Sequence, residues 1–476
     1  MTAPVRHVRP RAAGSVAPAA GPVADRRAHV AVRAVLLGGG LAVGALWWFG
    51  TAPDSLAGLG AQVTAVGRVT GLLGGYLVLV QLLLMARLPW FERAVGLDRL
   101  TAWHRGLGTN VVLLLCAHVL LVVEGYSLTE HRQVVGETWT IATTYPDMLK
   151  ATAGLGLFLL VGITSGARLR RRLTYEAWYW LHVSAYLAVA LAFFHQTSTG
   201  ADFVGGDTRH TVERWFWTAM YVAVAAAVLW WRLARPAWGW VHHAMLVEKV
   251  VPEADGIVSV WIRGRHLDRL GGRAGQFLLW RFVTPGHIWT AHPYSLSAPP
   301  THNRLRLTVK DAGDHSSAVA RLRPGVPVLA EGPFGHFTAA AAGRRQVLLV
   351  AGGSGIGPIR ALAEDLSTPT AGRGGRRGSD VLVLYRVSAN KDLALADELD
   401  ALAAAGRIRI AYLVGRRRDL GYDPISAPYL QQLVPDVARR DVFVCGPAAM
   451  NAAVRAAVLS LGVPRRCVHV EEFSQA

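Results

Sequence analysis

Six long apolar runs without charged side chains fill the first half of this 476-residue chain and restrict its fold more than any other feature. They fall at 34–50, 69–86, 106–123, 151–166, 177–199 and 215–231. Crossing a hydrocarbon core of ~30 Å takes ~20 residues of helix, because backbone polar groups in lipid must satisfy one another. The runs therefore predict six transmembrane helices, the fourth the shortest.

Cationic residues orient them. Arg87, Arg93, Arg99 and Arg105 flank the second connection, and Arg168, Arg170, Arg171 and Arg172 fill the fourth. The other connections carry only Arg68, then Arg132 and Lys150, then Arg209 and Arg214. The positive-inside rule places both termini in the cytoplasm of a multi-pass plasma (inner) membrane protein, with loops 124–150 and 196–214 outside. Residues 1–30 are rich in Ala, Pro and Arg without an apolar core, so they predict a disordered basic cytoplasmic tail rather than a cleavable signal. Much of the net charge of +18 is then topology and contact with anionic lipid. Neither a basic helix with interleaved aromatics nor zinc-finger spacing occurs, which argues against a nucleic-acid partner. Cys116, Cys445 and Cys467 are too few and too scattered for an iron–sulfur cluster or a disulfide framework.

Four histidines lie within the apolar runs or at their edges. His104 and His118 are fourteen positions apart on the third helix; His182 and His195 are thirteen apart on the fifth. A lone membrane histidine is commonly a helix–helix hydrogen-bonding group or part of a proton pathway. Here both helices run outward, so His104 and His182 share the inner level, and His118 and His195 lie ~20 Å further along at 1.5 Å per residue. Each level offers one imidazole per helix, an axial pair for one b-type haem, twice over. At 100° per residue a fourteen-residue separation returns to within ~40° of one face, whereas thirteen misses by ~140°. The fifth helix must bend, rewind locally or meet its two haems from different sides. His131 and His210 fall in outer loops, and His242 and His243 at the membrane exit.

With its LTYEAWYWLH approach to His182, this arrangement resembles the ferric reductase transmembrane domain shared by ferric-chelate reductases and NADPH oxidases. The resemblance implies a haem-iron ligand role for His104, His118, His182 and His195.

After Trp240 short β-branched stretches separated by turns predict an antiparallel barrel: MLVEKVV, GIVSVWIRG, GQFLLWRFV, LRLTVKD and VPVLAEG. Within it His292-Pro293-Tyr294-Ser295 sets a phenol and a hydroxyl where a flavin could lie, although Pro-Tyr-Ser is also an ordinary strand start. Lys310 ends a strand, and the turn after it opens a short helix, where Gly313, Ser316 and Ser317 could hold a pyrophosphate through amides and hydroxyls. These segments, with Glu331-Gly332-Pro333-Phe334-Gly335, look like the FAD-binding domain of the ferredoxin-NADP reductase superfamily. His292 would then begin the flavin motif, and Phe473 would match the terminal aromatic that covers the flavin, with three more residues following it.

The last third alternates strand and helix and predicts an α/β domain with a parallel sheet. Gly353, Ser354, Gly355, Gly357 and Pro358 lie between its first strand and helix, where glycines let a backbone approach a dinucleotide pyrophosphate. Cys445, Gly446 and Pro447 end the fourth strand; the resemblance implies a nicotinamide-side position, and core packing explains the cysteine equally. Arg386, then Arg416 with its neighbours, suits a ribose phosphate, so NADPH is favoured with NADH possible, although a solvated arginine cluster reads the same way.

The expected organisation is a multidomain chain: a tail (1–30), a six-helix transmembrane haem bundle (31–235), an antiparallel β-barrel FAD domain (241–340) and an α/β parallel-sheet nucleotide-binding domain (345–476). The resemblance implies an oxidoreductase in the lipid bilayer moving electrons from NADPH through FAD and two b haems outward. Ferric chelate is the favoured acceptor. Oxygen is the alternative, and a chain that donates electrons to an extracytoplasmic redox partner is the reading of a different class.

Overall fold

A computed structural model describes residues 22–284, 290–369 and 378–472. Among them six helices are long and apolar enough to cross a membrane: Val30–Gly50, Leu59–Met85, Arg99–Glu130, Met148–Ser165, Tyr175–Thr199 and Thr208–His243. The helix of the first span begins at Pro22, so part of the segment read as tail is helical. Proline suits that first position because its missing N–H has no helical acceptor there.

Small residues set the closest packing. The second span turns Gly67 and Gly71 toward the third, where a Cβ on Gly67 would lie 2.9 Å from Val122 and one on Gly71 2.5 Å from the His118 ring. Lipid does not drive apolar helix faces together, so association depends on such close backbone approach. The fifth span is two helices, Tyr175–Val183 and Ala185–Thr199. Ser184 interrupts it at φ −59° and ψ −13°, and its hydroxyl donates to the Leu181 carbonyl at 2.7 Å. This local irregularity lies between His182 and His195, in the stretch that carries the thirteen-residue spacing. The sixth span passes through a π turn at Trp230–Ala234 and continues to His243, beyond the boundary expected at 235.

Six strands follow: β1 Leu246–Ala254, β2 Ile257–Arg263, β3 Phe277–Phe282, β4 His292–Ser295, β5 Arg304–Lys310 and β6 Val328–Phe334. They form two three-stranded antiparallel sheets, β1-β2-β5 and β4-β3-β6. Among the described residues these sheets do not close into the expected barrel; isolated bridges at Leu246–Pro327 and Leu296–Leu307 link their margins. Alternation in β3 buries Leu278, Trp280 and Phe282 in a core shared with Val260, Ile262 and Leu307.

The third lobe has five parallel strands: β7 Gln346–Gly352, β8 Asp380–Val387, β9 Arg409–Val414, β10 Asp441–Gly446 and β11 Val468–Glu472, ordered β11-β10-β7-β8-β9. Their near-continuous apolar runs suit a sheet covered on both faces. Strand order reverses between β7 and β10, so a crevice opens at their carboxyl ends.

One carboxylate joins the flavin-type sheets to the membrane bundle. Glu331 of β6 is buried, accepts from Arg281 of β3 at 2.6 Å and pairs with Arg87, just past the second span.

Candidate functional site

The structure pairs the membrane histidines two and two. The His104 and His182 rings lie 5.8 Å apart at 73°. His118 and His195 face one cavity of about 1060 Å³, counting its open mouth, with Arg68, Tyr126, Gln196 and Trp217 in its wall. His118 Nδ1 lies 2.7 Å from the Gly67 carbonyl. A carbonyl only accepts, so Nδ1 carries the proton and Nε2 keeps its lone pair for a ligand. His182 Nδ1 is 3.2 Å from Ser165 Oγ. His104 Nδ1 and His195 Nδ1 are buried without a protein partner. Among the described residues no group of three or more His, Cys, Asp or Glu could hold a bare metal ion. Pairs of imidazoles at two levels fit two axially ligated haems on those counts.

Two further histidines of the bundle have local partners. His210 pairs with Asp207 at 2.5 Å, and His243 Nδ1 lies 2.9 Å from the Arg265 carbonyl.

β4 carries the flavin-type motif on an edge, where Pro293 costs no ladder hydrogen bond. Trp280 Nε1 donates to the Tyr294 carbonyl at 2.9 Å and fixes the strand. The His292 and Tyr294 rings lie 6.2 Å apart at 29°, two residues apart on one face. Burial pushes the Tyr294 phenol up to about 12, so it stays protonated at neutral pH. Lys310 is exposed at the end of β5. In the following turn Ser316 Oγ accepts from the Ala312 amide at 2.7 Å and donates to the Gly313 carbonyl at 2.8 Å, while Ser317 Oγ donates to Asp311 at 2.6 Å. Both hydroxyls thus stiffen the turn, a role the sequence reading did not give them. Phe473 lies outside the described residues.

The glycine turn sits in the switch-point crevice. Gly353 has φ +53°, and a Cβ on Gly355 would lie 2.1 Å from the Cys445 carbonyl. The two segments singled out in sequence, 353–358 and 445–447, therefore lie backbone against backbone. Cys445 is fully buried, and burial, reinforced by Glu471, holds its thiol well above the usual range. It packs and does not ionise. Gly357 and Pro358 are buried in the first turn of the helix Ile356–Ser367.

Arg386 differs from expectation. Its Nη1 donates to the carbonyls of Val387 at 2.5 Å and Leu413 at 2.9 Å, tying β8 to β9 instead of standing open. Arg416 is exposed beside Arg417, which pairs with Asp423 at 2.9 Å. Nearby, Tyr422 and Tyr429 stack at 4.4 Å and 16°, a flat aromatic platform that sequence reading passed over. Its signal was two tyrosines soon after an arginine run.

Comparison with known proteins agrees with this division. Residues 70–193 match the family described as ferric reductase like transmembrane component, and 349–456 the oxidoreductase NAD-binding domain. The chain is similar to ferredoxin-NADP reductase B of Sorangium cellulosum, 31% identical over 235 residues, covering 45% of this chain and 93% of that protein. It is 32% identical over 209 residues to the ferredoxin reductase component of 3-ketosteroid-9-alpha-monooxygenase from Mycobacterium tuberculosis, covering 43% of this chain and 56% of that protein. A flavohemoprotein of Xylella fastidiosa is 25% identical over 248 residues, covering 49% of this chain and 60% of that protein. The chain thus spans less than two thirds of the last two. Among solved structures, the FAD/NAD binding domain of nitric oxide dioxygenase from Vibrio cholerae O1 biovar El Tor aligns with TM-score 0.40 and 21% identity, over 48% of this chain and 98% of that one.

Proposed function

The chain belongs to the ferric reductase-like transmembrane flavocytochromes that carry a ferredoxin-NADP reductase-type module, NAD(P)H-dependent oxidoreductases, and from that premise we propose that it carries electrons from cytoplasmic NADPH across the inner membrane to ferric chelate. The observation that carries this reading is the pairing of four histidines, two and two, across the third and fifth spans.

When bound, the flavin takes up a hydride and gives out single electrons, and haem iron passes one electron at a time. The residues of the chain supply the rest. His104 with His182, and His118 with His195, would hold one haem iron each. The carbonyl of Gly67 keeps the His118 tautomer that leaves Nε2 free. Neutral Tyr294 would face the flavin and bring no charge to it. Gly353 and Gly355 would let the backbone approach the nucleotide pyrophosphate at the mouth of β7, and Pro447 and Gly446 would border the nicotinamide. Both termini lie in the cytoplasm. The two sheets β1-β2-β5 and β4-β3-β6 would stand where the family has a barrel, and β4 would supply the residues for FAD.

Nucleotide preference tests one part of this. Arg416→Ala is expected to weaken NADPH by about 1.5–3 kcal/mol, the range of a charge-assisted contact, with NADH unaffected. Arg386→Ala, by contrast, should lower the melting temperature more than it alters nucleotide choice, because its guanidinium ties two strands. Equal loss of KM for both nucleotides in Arg416→Ala would show that the arginine is surface charge only.

The acceptor is tested on the purified full-length protein with NADPH. Ferric citrate reduction that persists with superoxide dismutase present supports ferric chelate. Reduction abolished by the dismutase, with superoxide detected, assigns oxygen instead. NADPH oxidation that begins only when an extracytoplasmic redox protein is added identifies the chain as a donor subunit.

A further inference from the structure

A charge cluster with one fully buried member lies where the flavin-type sheets meet the nucleotide lobe, its central carboxylate 35% exposed, and no part of the proposed electron path uses it. Arg306 of β5 is 1% exposed. Its Nε donates to Ser297 Oγ at 3.1 Å and its Nη2 to the Ser297 carbonyl at 2.7 Å. Its Nη1 crosses to Glu398 in the helix Ala396–Ala404. The other Glu398 oxygen forms an ion pair with Arg360 Nε at 2.7 Å, and Arg360 Nη1 also pairs with Glu364 on its own helix. Arg360 sits on Ile356–Ser367, the helix that leaves the glycine turn. Trp261 lies under the Arg306 guanidinium at 5.1 Å, which limits its swing.

One carboxylate is therefore shared by two guanidiniums from two lobes. Burial alone would raise the Glu398 carboxyl, but Arg306 and Arg360 outweigh it and hold the group below its ordinary range. It stays ionised at neutral pH. Removing the Glu398 carboxylate leaves the buried Arg306 guanidinium without its counter-charge, whereas Arg360 keeps Glu364, so the half of the bridge that crosses between the lobes is the one costly to break. The ends of the link are informative. Ser297 lies two residues beyond the flavin motif at Ser295, and a Cβ on Gly357 would touch the side chains of Ser297 and Thr308 at 3.5 Å. The link runs from the flavin strand to the helix behind the nucleotide turn.

We propose that Glu398, bridging Arg306 and Arg360, is a positioning residue that fixes the angle between the two lobes, so that a nicotinamide in the β7–β10 crevice meets a flavin at β4. This rests on the reading that the two lobes pass hydride from NADPH to FAD. A second link supplies the contrast. Lys391 and Asp255 also join the lobes, at 2.7 Å, but their side chains are 71% and 65% exposed, and such a pair contributes little.

The test uses the full-length, FAD-loaded chain in stopped flow, reading flavin reduction against NADPH concentration in wild type, Glu398→Gln, Glu398→Asp and Asp255→Asn. Misplacing reacting groups by about an ångström costs up to ~100-fold in rate. Glu398→Gln is expected to lower the limiting rate by roughly tenfold to a hundredfold. Its nucleotide Kd, flavin content and rate of reduction by dithionite should match wild type. Glu398→Asp should fall between, and Asp255→Asn should match wild type. A limiting rate in Glu398→Gln equal to wild type overturns the proposal, as does an equal loss in Asp255→Asn or an effect confined to Kd or flavin content. If Glu398→Gln does not fold, Glu398→Asp decides, and a wild-type limiting rate there overturns it. A wild-type chain whose flavin NADPH cannot reduce overturns the parent reading and this inference together. A wild type that is reduced, beside an equally fast Glu398→Gln, overturns this inference alone.

Discussion

Replacing His118 with alanine is expected to halve the haem content, from two per chain to one, and to abolish electron delivery to the outer acceptor while NADPH still reduces the flavin. On the proposed reading two imidazoles at each level would fill the axial positions of one iron, and loss of one would leave that iron a single protein ligand. The structure sharpens the expectation with a variant that touches no ligand. A Cβ on Gly71 would lie 2.5 Å from His118 Nδ1, so Gly71→Val must push the ring away from the Gly67 carbonyl that sets its tautomer. Outer-shell partners of this kind typically matter 10–100-fold to affinity or activity. Gly38→Ala, which meets nothing within 4 Å, is the matching control. The pyridine haemochrome assay on each purified variant measures the outcome. Two haems in both His118→Ala and Gly71→Val would sink the ligand assignment.

Gly355→Ala is expected to destabilise the nucleotide lobe by about 3 kcal/mol and to eliminate NADPH oxidation, because the new methyl would lie 2.1 Å from the Cys445 carbonyl, a backbone atom that cannot swing aside. Gly353→Ala should do much less. Its site is open, and the cost is the positive φ of +53°, on the order of 1–2 kcal/mol. The order of the two effects is the discriminating feature. Thermal unfolding and NADPH-dependent dye reduction measure both. A Gly355→Ala protein with the melting temperature and NADPH KM of the wild type would show that the turn does not press on the β10 end.

The glycine turn shows how far the sequence was legible. The residues 353–358 after an apolar strand marked a nucleotide turn, because the reason for glycine there is local: backbone close to a phosphate, at the start of a helix. Cys445 was marked only by resemblance, and nothing local reveals that its carbonyl meets Gly355 ninety residues upstream. Arg386 was read as a phosphate ligand from its place after β8. Leu413 lies on the neighbouring strand, so the carbonyl that takes up its guanidinium is invisible until β8 and β9 pair. Ser316 and Ser317 were read as pyrophosphate ligands, and their part in closing the turn was not legible for a different reason. Their bonds to Ala312, Gly313 and Asp311 span only a few residues, but depend on how the turn closes.

By itself the sequence determined the six apolar spans, the two histidines on each of two of them, the change to β-branched strands after the membrane and the glycine turn at the first parallel strand. Each of these belongs to a single segment, where helix rise, strand alternation and the dehydration of apolar side chains act on neighbours in the chain. Tertiary structure alone decided the rest. It set the carbonyl that orients His118, the two sheets that stay unclosed among the described residues and the Arg306–Glu398–Arg360 bridge. These features join residues tens to a hundred positions apart, and the direction of a side chain across such a distance depends on how whole elements pack, which no local period encodes.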